Sequence, residues 1–351
     1  MNVRLGSRAY IIALGALVVG LFLILSMLAP STFPTLRNAT SMASQLAPLG
    51  ILALCIALTF LLGGIDLSIV AVANGSAIAA ALTMAALEPS MGGMGTLLGV
   101  LAGLAVGVTA GTINGTLVAY LRVHPIPITL GTLTLFTGIA TGITDGSTVY
   151  GTGTMQWLGN GTFLYLPISF WLFLLMTLVL AFVTTRTRFG FQIYALGASE
   201  KVSRFGRLHV ERTQVLTYLL SGVLASVAGV LMLASTNAAN VSFGSSFLIQ
   251  AILVAVLSGV NPYGGRGRII LVLLAVIVMQ QVQTGINLAL GRWSGATFAA
   301  EFSWGVLLIA VLAMARYLGA SDSKRVGVRW RKAQAKREDA GGKDDCSGDT
   351  R

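Results

Sequence analysis

Ten long apolar runs, separated by short polar stretches, leave this chain few ways to fold. They are Ala9–Ala29, Leu46–Gly63, Leu67–Leu87, Leu97–Leu121, Ile126–Ile143, Leu164–Val183, Val215–Ala234, Phe247–Val260, Ile269–Leu290 and Phe302–Tyr317. A helix needs about 20 apolar residues to cross the hydrocarbon core of a bilayer, and most of these runs supply roughly that many. No water reaches the backbone N–H and C=O groups there, so a crossing segment of this kind must be helical. The expected fold class is therefore all-α: a polytopic integral membrane protein with about ten transmembrane helices. Phe247–Val260 is short for a full crossing and is expected to be tilted, broken or re-entrant. The second and third runs lie so close together that they form either a tight hairpin or one helix interrupted within the membrane.

Composition removes the alternatives. The chain is 55% hydrophobic and only 10% charged, whereas soluble domains are about 25% charged. Disordered chains show the opposite bias. Glycine is abundant at 42 residues, but it has no three-residue period, and there are only 8 prolines. A net charge of +11 would suit a nucleic-acid partner. Here the basic residues avoid the apolar runs and gather in a few loops and the tail, which is a topological pattern, and no nucleic-acid partner is expected. Cys55 and Cys346 are the two cysteines. They make neither a disulfide framework nor a metal-ligand spacing, so no metal and no resident cofactor is expected. Arg4 and Arg8 precede a first run longer than the roughly 7–15 residues of a signal-peptide core, with no small-residue cleavage site after it, so it is expected to stay as a span.

With the N-terminus in the cytoplasm and ten alternating crossings, all but Arg37 and Arg292 of the 23 basic residues fall inside. Both termini are therefore expected to be cytoplasmic, with the protein in the cell membrane (the inner membrane in a Gram-negative source). Residues 1–318 read as one transmembrane unit containing a long charged loop, 184–213, and residues 319–351 as a charged tail, disordered towards its end.

Several spans carry patterns beyond hydropathy. Gly99, Gly103, Gly107, Gly111 and Gly115 recur every four residues. Four residues turn a helix by about 400°, so these glycines form a slowly drifting stripe that lets another helix approach closely. Thr134, Thr137, Thr141 and Thr144 share a face of the fifth span. They either bond their own helix carbonyls or make a wettable face along a solute pathway. Gln280, Gln283, Thr284 and Asn287 share a face of the ninth span. Amides are costly against lipid, so these residues are either interhelical glue or pathway lining. Asp66, in Gly63-Gly64-Ile65-Asp66-Leu67-Ser68, either caps the third helix or takes part in transport or coupling. Glu88, Asp145 and Glu301 fall at external edges, and both histidines lie in loops. Ion-coupled transporters usually bury several ionisable groups, so this scarcity disfavours that class. No G-x-x-x-x-G-K-[ST] phosphate loop is present, so any ATPase must be another chain.

The order and spacing of several segments resemble the membrane permease subunits of bacterial ABC importers for ribose and related monosaccharides. These segments are Gly64-Ile65-Asp66-Leu67-Ser68, Asn114-Gly115, Ile128-Thr129-Leu130-Gly131-Thr132, Phe189-Gly190, Tyr194-Ala195-Leu196-Gly197-Ala198, Ser221-Gly222, Ala228-Gly229 and Gly264-Gly265-Arg266-Gly267-Arg268. The resemblance spans residues 45–315. The chain departs from the family pattern at Ala198 and Ser199, before Glu200, where an asparagine is usual. It departs again at Ser258-Gly259-Val260-Asn261-Pro262, where a glycine pair is common.

The resemblance implies a type II ABC importer-like permease that does no covalent chemistry and works by alternating access. It also implies two ATPase subunits that use ATP and Mg, a periplasmic or lipid-anchored sugar-binding protein, and a second permease copy, identical or homologous. The 184–213 loop would present a coupling helix near Gly197, Glu200 and Gly206, with Asp66 grouped with this coupling set. Thr137, Thr141, Gln280, Gln283, Asn287 and Asn114 are the pathway candidates. The rival readings are an ion-coupled secondary transporter and an integral membrane enzyme. The first would need intramembrane charge pairs, and the second an acid–base or metal cluster.

Overall fold

The computed structural model describes residues 3–121 and 123–290, together with 302, 304–306 and 309. Most of the tenth apolar run and the whole of the 319–351 tail lie outside the described residues. The chain divides into Met1–Trp304 and Gly305–Arg351, and the second unit is described only at Gly305, Val306 and Ile309.

The elements follow in chain order. Helices α1 (Val3–Leu28), α2 (Leu36–Leu62), α3 (Ile69–Met91), α4 (Gly93–Leu121) and α5 (Pro125–Thr144) come first. A loop region follows with β1 (Val149–Tyr150), α6 (Gln156–Asn160), β2 (Thr162–Phe163) and β3 (Leu166–Pro167). Then come α7 (Ile168–Arg186), α8 (Arg188–Ala198), α9 (Glu200–Phe205), α10 (Val210–Thr236), β4 (Ala238–Ala239), α11 (Phe247–Leu257) and α12 (Leu271–Leu290). Among the described residues, α1, α2, α3, α4, α5, α7, α10 and α12 are long and apolar enough to cross a membrane, and α11 is a shorter apolar helix. The protein is a polytopic helical membrane protein, and the first nine apolar runs each lie on one of these nine helices. The strands form two short antiparallel pairs, β1 with β4 and β2 with β3.

Helix α2 starts ten residues before its apolar run, at Leu36 rather than Leu46. Hydropathy misses this extension because it is polar, from Arg37 to Gln45. Side-chain bonds hold it instead: Thr35 caps the helix by accepting from the Asn38 N–H, and Asn38 Nδ2 donates to the Phe33 carbonyl. Helices α2 and α3 are separate, joined by a link that starts at Gly63 in the left-handed conformation. Both pack along α10.

Most of the core lies along α2, α3 and α10. The glycine stripe of α4 explains how α4 reaches it. A β-carbon at Gly99 would strike Met84 and Ala80 of α3. At Gly107 it would strike Gly222 and Ser226 of α10, at Gly111 the Tyr218 carbonyl, and at Gly115 Val215. The stripe drifts from α3 to α10 along its length, as the 400° advance requires. Helix α1 is peripheral. It leans on α12, and Tyr10 donates its hydroxyl to the Leu257 carbonyl at 2.6 Å.

Candidate functional site

A cavity lined partly by amide side chains lies between α2, α11 and α12. One turn of α12 brings Gln280 and Gln283 to the same side. The polar extension of α2 supplies Gln45, and the first turn of α11 supplies Phe247 and Gln250. Together with Leu49, Met279 and Trp304 they line a cavity of about 110 Å³, several times the ~10–15 Å³ that one water requires. Gln280 is buried, and its Nε2 donates to Gln45 Oε1 at 3.1 Å. Gln45 Nε2 donates in turn to Ser41 Oγ at 3.0 Å, which fixes the orientation of the amide. Gln283 Oε1 is buried with no hydrogen-bond partner among the described residues. An unmade buried acceptor costs about 1–3 kcal/mol, so a donor that reached this oxygen would be favoured. Every described lining residue is uncharged.

A second polar cluster ties the α2–α3 link to α4 and α10. Asp66 is 2% exposed. Its Oδ1 accepts from the Ser68 N–H at 3.0 Å and the Ser68 hydroxyl at 2.7 Å, and its Oδ2 accepts from the Ser221 hydroxyl at 3.1 Å. Asn114 Nδ2 donates to Ser68 Oγ at 2.7 Å. Nearby, Thr129 on α5 donates to the Ile65 carbonyl, and Cys55 on α2 donates to the Ser221 carbonyl. Five helices thus meet around one short link.

The basic end of the molecule is built by α8 and α9 against the loop 258–268. The Gly265 N–H donates to the Leu61 carbonyl at 3.0 Å, and Tyr194 donates its hydroxyl to the Gly267 carbonyl at 2.8 Å. Burial pushes the Tyr194 phenol up from its ordinary value, while the neighbouring Arg268 guanidinium pulls it down. Arg204 forms a fork. It donates to Glu200 Oε1 at 2.9 and 3.0 Å and to Glu211 Oε1 at 2.7 Å. Apolar side chains project at this end: Phe205 and Tyr263 are each 89% exposed, and Val202 is also exposed. A cleft of about 560 Å³ runs from Glu200 and Arg204 to Gly63, Gly64 and His124.

A protein family described as the branched-chain amino acid transport system permease component matches residues 38–315. The chain belongs to this permease family. The permease is 36% identical over 282 residues to the ribose import permease protein RbsC of Bacillus subtilis, covering 77% of this chain and 84% of that one. It is 31% identical to the D-allose transport system permease protein AlsC of Escherichia coli, over 86% of this chain and 90% of that one. It is 33% identical to the autoinducer 2 import system permease protein LsrD of Photorhabdus luminescens, over 69% and 73%. No solved structure matches it.

The permease distributes its pathway candidates over four places. Gln280 and Gln283 line the amide cavity. Asn287 is exposed on the same helix, and Asn114 sits in the Asp66 cluster. Thr137 and Thr141 lie on α5, which packs on α3 and α4. Thr141 donates to the Thr137 carbonyl at 2.8 Å, and Thr134 to the Leu130 carbonyl, so these hydroxyls bond within their own helix.

The coupling set divides as well. Asp66, grouped with the coupling contacts from the resemblance, is enclosed by its own chain. Its acceptor role goes to Ser68 and Ser221. Gly197 is filled by the chain itself, since a β-carbon there would strike the Leu61 carbonyl and the Gly265 N–H. Glu200 is paired with Arg204. Gly206 has a φ of −73°, and a β-carbon there has room. Gln45 and Gln250 escaped the sequence reading, because Gln45 lies just outside its apolar run and Gln250 is a single amide in an otherwise apolar helix.

Proposed function

We propose that this permease is the membrane subunit of an ATP-binding cassette importer that carries a monosaccharide or related polyhydroxylated solute into the cytoplasm by alternating access. The observation that carries this reading is the amide-lined cavity within an apolar bundle, whose described lining residues are all uncharged. Amides donate and accept at once, as hydroxyls do. A zwitterionic amino acid would call for charged partners in such a place, which favours the sugar branch over the amino-acid branch of the family. The names of the ribose and D-allose relatives support the same choice.

The basic end faces the cytoplasm in this reading, following the excess of Lys and Arg there. Phe205, Val202 and Tyr263 form the apolar part of the ATPase docking surface, ringed by Glu200, Arg204 and Lys201. A solute-binding protein delivers from the opposite side, and a second permease copy completes the machine. ATP hydrolysis belongs to the partner and shifts the permease between two states. The test is uptake of labelled D-ribose and D-allose by the permease reconstituted with its ATPase and binding protein. ATP-dependent accumulation is expected. Uptake driven by an ion gradient without the ATPase would point to a secondary transporter instead.

A further inference from the structure

We infer that each permease subunit carries its own solute-binding subsite, the amide cavity between α2, α11 and α12, and that this subsite recognises a neutral polyhydroxylated ring. The inference rests on the importer reading above. It adds that the permease itself selects its solute, at a place inside one subunit and not only at an interface between two.

Four amide side chains converge there from three helices, and Phe247 and Trp304 are the aromatic groups of the same wall. Such a mixture of amides and aromatic faces suits a sugar ring, whose hydroxyls lie at the edge and whose C–H groups line the faces. The space holds several waters, and so it can accept a ring that displaces them. Two observations mark a place built for a guest. Gln283 presents a buried oxygen with no partner among the described residues. Gln280 and Gln45 are already fixed by each other and by Ser41, so they offer an oriented framework and not a collapsed knot. The Gln45–Gln280 bond also joins α2 to α12, residues 235 apart in sequence. A guest that competes for these amides would loosen this link between two helices, so the subsite sits where occupancy can bias the bundle between states.

The chemistry also predicts weak binding. A solute held by a few neutral hydrogen bonds leaves readily, as a conducting path requires. Each neutral hydrogen bond removed is expected to weaken binding by about 3- to 10-fold.

The test uses the complete permease–ATPase complex in lipid nanodiscs, without the binding protein, so that any sugar contact belongs to the membrane subunits. Saturation-transfer NMR would be recorded with D-ribose, D-allose and, as a zwitterionic control, L-leucine. Transfer to at least one sugar and none to leucine is expected. The variants Gln283→Leu and Gln250→Leu should each reduce the sugar signal at least threefold. Gln283→Asn, which keeps the amide, should retain more of it than Gln283→Leu. Subunit stoichiometry should be unchanged.

Equal signals in wild type and both leucine variants would overturn the inference, as would transfer to leucine equal to that of the sugars, or no transfer to either sugar. Uptake measured in parallel separates the two ideas. A wild-type complex that accumulates sugar but shows no transfer removes the subsite and leaves the importer reading standing. A wild-type complex that accumulates neither sugar under ATP removes both.

Discussion

Replacing Asp66 should separate a structural carboxylate from an ordinary polar residue. Three donors point at it, and each has its proton available. The Ser68 hydroxyl accepts from Asn114 and so gives its own hydrogen to Asp66, and the Ser221 hydroxyl and the Ser68 N–H do likewise. In its ionised form the carboxyl accepts all three bonds. Bonds to a charged group contribute about 1.5–3 kcal/mol each, so three sum to roughly 5–9 kcal/mol. Removing the side chain also removes the penalty of burying a charge, several kcal/mol. The net expected loss for Asp66→Ala is therefore about 2–4 kcal/mol, well above the ~0.6 kcal/mol typical of a neutral interhelical bond in a membrane. Asp66→Asn keeps one oxygen for Ser68 and lets the Ser221 hydroxyl turn to accept from the new amide. It should cost less than half as much. The assay is thermal unfolding of the purified permease in nanodiscs, followed by intrinsic fluorescence, with both variants beside wild type. Asp66→Ala should lower the midpoint clearly more than Asp66→Asn. Equal midpoints for all three proteins would refute the reasoning, because the carboxylate would then contribute nothing beyond its neighbours.

The glycine stripe gives a second prediction. Gly111→Leu should block close packing of α4 on the Tyr218–Leu219 backbone and cost about 1–3 kcal/mol or more, seen as lost monodisperse protein in size-exclusion chromatography, whereas Gly138→Ala on the open side of α5 should be neutral. A third contrasts two loop glycines: Gly197→Ala should impair folding or coupling because Leu61 and Gly265 occupy the space, while Gly206→Ala should leave stimulated ATP hydrolysis near wild type. A fourth tests orientation: with Cys55→Ala, a membrane-impermeant thiol reagent should label Cys346 in inverted vesicles and not in right-side-out ones. Strong labelling of right-side-out vesicles would invert the assignment.

The sequence alone determined the helical class and the position of nearly every span, because hydrocarbon forces an apolar segment to bond its backbone internally. It also marked the α4 stripe, since a missing β-carbon is a local property of the residue. The motif order placed the chain among sugar-importer permeases before any geometry was known. The meeting of polar groups was decided only by tertiary structure. The threonine face of α5 and the glutamine face of α12 look equivalent in sequence, yet Thr134, Thr141 and Thr144 bond carbonyls of their own helix, while Gln280 and Gln283 line a cavity with Gln45 and Gln250. Asp66 reads in sequence as a cap, or else as a coupling or transport residue, and only the fold brings Ser221 to bond it and Asn114 to bond its neighbour Ser68. The physical reason is that lipid is as apolar as a helix flank, so hydropathy cannot say which side of a span faces lipid and which faces a neighbour. Close packing and complementary hydrogen bonds make that choice, and both depend on residues far away in the chain.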